Sequence, residues 1–189
     1  QLTLPNRIAV SPMCQYSASD GLANDWHLVH LGSRAVGGAW LVIVEATAVV
    51  PEGRITDRDL GLWQDEQIEP LRRITRFIES QGAVAGVQLA HAGRKASTWA
   101  PWLGKHGSVP ISEGGWTPVA PSAIAFDPQH TAPIALSEEQ MSTIKHQFVR
   151  GAERALAAGF KIAEVHAAHG YLLHQFLSPL SNQRRDPSG

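Results

Sequence analysis

The fold of this chain is decided by the stretch Phe160-Lys161-Ile162-Ala163-Glu164-Val165-His166-Ala167-Ala168-His169-Gly170-Tyr171. Residues 162–166 within it are β-branched and apolar, which predicts a short strand buried on both faces. The preceding Ala157-Ala158-Gly159 predicts a helix that ends in a tight turn. The stretch therefore predicts a helix, a turn and a strand in immediate succession.

Three polar side chains lie at the carboxyl end of this predicted strand, namely His166, His169 and Tyr171. Ligands bind at that end of the strands in α/β folds. Two imidazoles can donate hydrogen bonds to one oxygen and a nearby phenol can supply a proton, which suits the stabilisation of an enolate. A His pair with this spacing is also typical of a structural or zinc-binding pair, which His91 or Glu45 would complete. Both chemistries stay open on these residues alone.

The composition is that of an ordinary globular protein. The chain has 189 residues, of which 43% are hydrophobic and 17% are charged, enough for one domain with a core. The net charge of −1 predicts neither a nucleic acid nor a membrane surface as partner. The longest apolar run, at about 39–44, is far shorter than the ~20 residues of a membrane helix. No signal peptide is visible and the single cysteine cannot form an intramolecular disulfide, so a cytoplasmic protein is expected.

The predicted elements alternate between strands and helices. A segment at about 92–133 contains tryptophan, proline and glycine without a sustained period, and is predicted to be a long, functional loop insertion. The predicted strands are residues 7–13, 39–46, 83–89 and 162–166. The predicted helices are residues 26–36 after a cap at Asn24 or Asp25, a second from 68 that Gly82 ends, and a third from the capping box Ser137-Glu138-Glu139-Gln140 to Gly159, with Met141, Ile144 and Phe148 on its core face.

This β-α-β-α-β-α-β order predicts a parallel sheet, either doubly wound or closed into a barrel. No Gly-x-Gly-x-x-Gly fingerprint follows the first strand, which disfavours a dinucleotide-binding Rossmann fold. Candidate polar residues instead follow every predicted strand, an arrangement typical of the (β/α)8 TIM barrel. They are Cys14 and Tyr16, Glu45 to Thr47, Gln88 and His91, and His166 and His169.

Taken together, these strand ends resemble the old yellow enzyme family of FMN-dependent ene-reductases, most closely its cysteine-containing, xenobiotic-reductase-like branch. The combination of His-Ala-Ala-His-Gly-Tyr with Gln-Leu-x-His-x-Gly-Arg is much more specific than either motif alone, and the resemblance covers residues 1–189. The matching segments are Pro5-Asn6-Arg7, Ser11-Pro12-Met13-Cys14-Gln15-Tyr16, Glu45-Ala46-Thr47-Ala48, Gly53-Arg54-Ile55, Gln88-Leu89-Ala90-His91-Ala92-Gly93-Arg94-Lys95, Ala120-Pro121-Ser122-Ala123, His166-Ala167-Ala168-His169-Gly170-Tyr171 and Phe176-Leu177-Ser178-Pro179.

The resemblance implies a (β/α)8 barrel of which this chain supplies about the first four β/α units, the N-terminal half of one flavin-binding domain. It also implies an NAD(P)H-dependent flavin oxidoreductase. FMN would bind without a covalent bond and would be reduced by NADPH or NADH. The hydride would then pass to the β-carbon of an α,β-unsaturated carbonyl or nitro compound.

The resemblance further implies roles for individual residues. Ser11, Pro12, Met13 and Cys14 would line the isoalloxazine together with Ala46, and Cys14 would tune the flavin and the pocket. Gln88 would hydrogen-bond the pyrimidine edge of the flavin, which suits the paired donor and acceptor of an amide. His166 and His169 would hold the substrate oxygen, Tyr171 would protonate the α-carbon, and Tyr16 would make a further substrate contact. No metal ligand is implied.

Only four of eight strands are present in this sequence, so the second half of the barrel has no counterpart in it. We expect that half to be supplied by the same polypeptide or by a second chain, and we expect a homo-oligomer. Two alternatives stay open. One is a metal-dependent barrel hydrolase that uses His91, His166 and His169, and the other is a non-catalytic half-barrel.

Overall fold

Parallel strands and intervening helices alternate along the chain, as the sequence predicts. The computed structural model describes residues 2–4 and 6–189, so Pro5 of the Pro5-Asn6-Arg7 motif lies outside the described residues. The elements are β1 (Ala9–Val10), α1 (Asp25–Val36), β2 (Leu41–Ala48), β3 (Leu60–Gly61), α2 (Ile68–Ser80), β4 (Val84–Ala90), β5 (Val119–Ala120), β6 (Ile134–Ala135), α3 (Glu138–Ala157), β7 (Ile162–Val165) and α4 (Leu172–Leu177).

The main sheet has the strand order β1-β2-β4-β7, and every pair in it is parallel. These four are the strands predicted from the sequence. The short β3 pairs with the carboxyl end of β2, while β5 and β6 form a separate parallel pair. The β2–β4 register shifts between Val44 and Ala46, which leaves Glu45 as an extra residue without a partner on β4. A bulge of this kind re-aims side chains and is common next to functional sites.

The core lies between the sheet and the helices. Val42, Val44 and Val87 of the strands have no exposed surface, and they pack in one cluster with α2 residues such as Leu71 and Ile78. In α2, buried apolar residues such as Leu71 and Ile78 alternate with polar ones at helical spacing, which is the period seen in the sequence.

Capping boxes begin two of the helices where the sequence places them. The Asn24 side chain accepts a hydrogen bond from Trp26 N, and His27 Nδ1 accepts one from Asn24 N. Ser137 and Gln140 exchange the corresponding pair of bonds at α3. Both boxes satisfy main-chain N–H groups that the first helical turn leaves unpaired.

Several predicted bounds are wrong. β1 has two residues where 7–13 were predicted, because its pairing with β2 covers only Ala9 and Val10. β7 is not buried on both faces: Val165 is 55% exposed, because β7 is an edge strand of the described sheet. The sequence analysis also missed β3, β5, β6 and α4, since two-residue strands and a six-residue helix carry too little periodicity to detect.

The predicted core face of α3 is only half-buried. Met141, Ile144 and Phe148 line a groove of about 330 Å³ together with Val165 of β7 and Leu172 of α4. Its walls are almost entirely apolar, and it runs alongside the outer edge of β7. This face and this edge therefore resemble a surface that is normally covered.

We predict that a polypeptide of these 189 residues, produced alone, self-associates. The cause would be the apolar groove and the unpaired β7 edge, so Val165→Lys should reduce the association by placing a charge there. Light scattering coupled to gel filtration measures the mass. Val149→Lys is the matched control, because Val149 on α3 has nearly the same exposure, 53% against 55%. A monomeric 189-residue polypeptide, or equal effects of the two lysines, would contradict this prediction.

Candidate active site

The carboxyl ends of β1, β2, β4 and β7 meet at one edge of the sheet, because parallel strands all point the same way. The segment after β1 brings Cys14 and Tyr16 to this edge. The segment after β7 brings His166, His169 and Tyr171. The two segments approach closely enough for Cys14 to raise the pKa of Tyr171, after the larger effect of burial. The structure thus brings together the residues proposed for substrate binding and proton transfer.

The two histidines form a tight pair. His166 Nε2 lies 3.4 Å from His169 Nδ1, and their rings meet edge to face with centroids 5.1 Å apart. Ala168 N lies 3.4 Å from His166 Nδ1, and its N–H points to that nitrogen as the acceptor, which leaves the proton on Nε2. The two ring nitrogens face each other, close enough together for one oxygen to lie within hydrogen-bond distance of both.

Burial and neighbouring positive charge keep His166 neutral. The side chain is 6% exposed, and burial lowers its pKa, followed by the effect of His169. Glu164 opposes this shift and Lys95 adds to it. A neutral imidazole with its proton on Nε2 is a hydrogen-bond donor without a full charge, so His166 can polarise a carbonyl in that form.

A strained turn holds the second histidine over the first. His169 has φ 56°, in the left-handed region that non-glycine residues rarely adopt. Lys95 Nζ donates a hydrogen bond to the His169 carbonyl at 3.0 Å, and Gln175 Nε2 donates to the Gly170 carbonyl at 2.7 Å. The turn places Tyr171 with its ring centroid 4.9 Å from that of His166. Strain of this kind is often found at functional sites.

Both tyrosines of the site are kept protonated. Burial raises the pKa of Tyr171, followed by the effects of Cys14 and Asp59. Burial likewise raises the pKa of Tyr16, whose ring lies 5.9 Å from that of Trp102 in the long loop segment. A protonated phenol beside the His pair can donate a proton, which is the chemistry that the sequence suggests for Tyr171.

Cys14 is a thiol at neutral pH. Burial raises its pKa to about 12, followed by the effects of the Asp59 and Glu45 carboxylates. Because the thiolate is the nucleophilic form, this environment argues against covalent catalysis by the sulfur. It is compatible with the predicted role of Cys14 as a residue that tunes a bound ring.

Two of the predicted flavin-contact residues, Ala46 and Gln88, lie in one row across the sheet. Ala46 of β2 lies opposite Gln88 of β4, which lies opposite Glu164 of β7. Gln88 Nε2 donates to Glu164 Oε1 at 2.6 Å. The side-chain oxygen of Gln88, Oε1, accepts no hydrogen bond within residues 2–4 and 6–189. Ser11 and Met13, on the segment after β1, have exposed side chains. A flat ring with polar edges fits such a surface, which offers a small residue, an amide with free hydrogen-bonding capacity and an exposed segment.

The three histidines of the hydrolase alternative do not come together. His91 is fully buried, and its Nδ1 accepts a hydrogen bond from Gly93 N at 3.0 Å. Glu45, the other proposed ligand, contacts Gln15 N and His27. Across the described part of the chain, no three His, Cys, Asp or Glu side chains are grouped to hold a metal ion.

Sequence reasoning missed Asp59, Glu164 and His27, and it gave Lys95 no role in the site. Glu164 carried a signal, since it is a lone carboxylate in an apolar strand. His27 carried a second one, because it occupies the third helical position after Asn24, where capping boxes place a side chain. Asp59 lies in a charged loop that nothing in the pattern distinguishes.

A parallel sheet of β/α units with a histidine pair and a phenol at its carboxyl edge is an arrangement typical of (β/α)8 barrel enzymes. The chain belongs to the NADH:flavin oxidoreductase / NADH oxidase family, whose model matches residues 1–189. This finding confirms the family and the barrel fold predicted from the sequence. The roles of individual residues stay predictions.

Two curated relatives and one solved structure illustrate the similarity. An NADH:flavin oxidoreductase of Gibberella zeae is 54% identical over 100% of this chain and 46% of its own length. An NADPH dehydrogenase of Bacillus subtilis is 48% identical over 100% of this chain and 52% of its own. The old yellow enzyme homologue from Zymomonas mobilis superposes with a TM-score of 0.83 and 29% identity, over 100% of this chain and 52% of that chain.

The chain therefore spans about half the length of the relatives it matches. It supplies about the first four β/α units of the (β/α)8 barrel. Among its described helices, none combines the length and the apolar character that crossing a membrane would require.

We predict that His91 makes folding stability pH-dependent. Burial lowers its pKa to about 4, against about 6.5 in the unfolded chain. Between these values the unfolded state binds a proton that the folded state does not, so stability falls as the pH falls. The expected loss is about 2 kcal/mol between pH 7.5 and pH 5, measurable by urea unfolding. His91→Gln keeps an acceptor for Gly93 N and should lose this part of the slope, whereas the exposed His146→Gln should keep it. Equal slopes in wild type and His91→Gln would refute the assignment.

Proposed function

We propose that this chain forms the substrate-activating half of an FMN-dependent ene-reductase. The substrates would be α,β-unsaturated carbonyl or nitro compounds, with NADPH or NADH as reductant. The observation that carries the proposal is the His166–His169 pair, with two ring nitrogens 3.4 Å apart beside a protonated Tyr171. Membership of a flavin oxidoreductase family supports the cofactor, and the similarity to an NADPH dehydrogenase supports the reductant.

Residues of this chain fit FMN. The Gln88 amide has one N–H and its oxygen free to pair with the polar edge of the flavin, since its other N–H donates to Glu164. The small Ala46 leaves room above the sheet, and the segment of Ser11, Pro12, Met13 and Cys14 would lie along the ring. Bound FMN would supply the hydride, which no protein side chain can provide.

The chain's own residues would bind, polarise and protonate. His166 Nε2–H and an N–H of His169 would hold the substrate oxygen and withdraw electron density from the conjugated bond, so that its β-carbon accepts hydride. Tyr171 O–H would protonate the α-carbon. Tyr16 would contact the substrate from the segment after β1, with Trp102 behind its ring.

The His pair is tested by replacing both histidines with alanine in the full-length enzyme. Loss of one oxyanion-type donor costs on the order of 10²–10³ in rate. The double variant should therefore slow flavin reoxidation by an enone by at least that factor, while reduction by NADPH or NADH changes far less. Stopped-flow absorbance separates the two half-reactions. His174→Ala is the matched control, because His174 supports the same turn through Gly170 N but does not join the pair. Unchanged enone reoxidation in the double variant would rule the oxygen clamp out.

We predict that Tyr171→Phe blocks protonation without disturbing the cofactor. FMN should stay bound and its reduction should be normal, while reoxidation by enones slows. Nitro substrates should suffer less, since their anionic product is more stable. Tyr16→Phe removes a hydroxyl from the same cluster and should raise the enone KM with a smaller effect on the rate at saturation. If Tyr171→Phe slowed both substrate classes equally, packing rather than proton transfer would explain the tyrosine.

A further inference from the structure

Two buried polar side chains outside the proposed reaction, Glu45 and His27, lie directly behind the Cys14–Tyr16 turn. Their side chains are 3% and 1% exposed, and Glu45 Oε1 lies 3.3 Å from His27 Nε2. This distance is short enough for an ion pair but lacks hydrogen-bond geometry, so His27 Nε2 has no hydrogen-bond partner within the described ranges. Burying a carboxylate is costly unless its oxygens are paired, so this arrangement calls for a physical reason.

The β2 bulge explains how Glu45 comes to be inside. Glu45 is the extra residue between Val44 and Ala46, which themselves pair with consecutive residues of β4. The bulge turns its carboxylate toward the segment after β1 and the first turn of α1. If β2 paired with β4 without this bulge, Glu45 would lie opposite Gln88, and Ala46 would be displaced from the row that faces the proposed flavin site.

Both carboxylate oxygens of Glu45 face a nitrogen. Oε2 accepts a hydrogen bond of 2.6 Å from Gln15 N, while Oε1 faces His27 Nε2. His27 Nδ1 accepts from Asn24 N in the capping box and also lies 3.1 Å from Asn24 Oδ1. Acceptance from Asn24 N favours the tautomer with the proton on Nε2, the nitrogen that lies 3.3 Å from Glu45 Oε1.

Gln15 is the point at which this contact reaches the site. Its neighbours Cys14 and Tyr16 are both site residues, and Tyr16 has φ 48°, a strained left-handed conformation. The Gln15 side chain is tied as well, since Trp26 Nε1 donates to its Oε1 at 3.1 Å. The turn is therefore anchored to β2 and to α1 at one residue.

We propose that Glu45 and His27 act as a buried positioning clamp that holds Cys14 and Tyr16 in place through the main chain of Gln15. Neither residue touches the site that substrate would occupy. Their effect on catalysis rests on the proposed function, whereas their effect on the Cys14 environment does not.

The test uses Cys14 as a reporter in the full-length protein, with and without FMN. The ionisable groups that face it are the Asp59 and Glu45 carboxylates and the Tyr16 and Tyr171 phenols. Below the thiol pKa the alkylation rate follows the thiolate fraction, so one pKa unit corresponds to a factor of ten. Iodoacetamide labelling of the Cys14 peptide at pH 8.5, followed by mass spectrometry, measures this rate.

Glu45→Gln removes the charge but keeps an acceptor for Gln15 N, and it should raise the labelling rate by about three- to tenfold. His27→Leu removes the nitrogen that faces Glu45 Oε1, which should loosen the turn at Gln15, expose Cys14 and raise the rate similarly. His27→Gln is the rescue variant, because glutamine at this capping-box position can accept from Asn24 N and donate to Glu45; it should stay within about twofold of wild type. Thr75→Val removes a buried hydrogen bond to Ala158 O elsewhere and controls for general loss of stability.

The kinetic readout is the enone KM, which should rise about tenfold in Glu45→Gln and His27→Leu while flavin reduction is unchanged. The clamp is overturned if Cys14 in Glu45→Gln is labelled at the wild-type rate both with and without FMN. It is equally overturned if Cys14 is labelled as fast in Thr75→Val as in Glu45→Gln. The same holds if the labelling rate of Cys14 in His27→Gln is as high as in His27→Leu. A wild-type protein that reduces no enone would refute the proposed function instead, while the labelling result would still decide the clamp.

Discussion

Parallel pairing on both sides of β4 is the constraint on which the rest of this structure depends. β4 pairs with β2 on one side and with β7 on the other. Because all pairs are parallel, their carboxyl ends reach a single edge, and the register aligns Ala46, Gln88 and Glu164 in one row. The floor of the site is thus fixed by main-chain hydrogen bonds between buried strands, which are among the most rigid parts of a protein.

The two turns that flank the site, at Tyr16 and at His169, are held instead by a few side-chain hydrogen bonds. Tyr16 and His169 both have left-handed backbones, a conformation that costs roughly 1–3 kcal/mol per residue. A hydrogen bond to a buried charged group contributes about 1.5–3 kcal/mol, so the bond from Gln15 N to Glu45 is large enough to hold the first turn. Lys95 is more exposed and contributes less to the second turn. Gln175, which is buried and bonds the Gly170 carbonyl, therefore carries part of that strain.

The sequence predicts the main strands and helices because each has a strong period or cap, as the capping boxes at Asn24 and Ser137 illustrate. It also groups the residues at the strand ends, since parallel order alone brings Cys14 and His166 to one edge. It cannot predict the bulge at Glu45, because a carboxylate after an apolar run does not reveal whether that residue pairs with the next strand or is inserted. It also cannot reveal that Asp59 faces Cys14, because that proximity arises from a loop without a period. The exposure of β7 escapes prediction for another reason: an apolar edge strand and an apolar central strand have the same pattern.

Desolvation then decides the protonation states that the proposed chemistry needs. It is the largest cause of the shifts at Cys14, Tyr16, Tyr171 and His166, and it favours the neutral form of each. It also raises the pKa of Asp59 to about 7, although Ile55 N and Thr56 N donate to that carboxylate. Neutral donors in a dry site gain strength when negative charge develops on a bound oxygen, because little solvent screens them. Burial therefore does more than support the fold: it keeps a phenol able to give its proton and an imidazole able to donate without attracting anions.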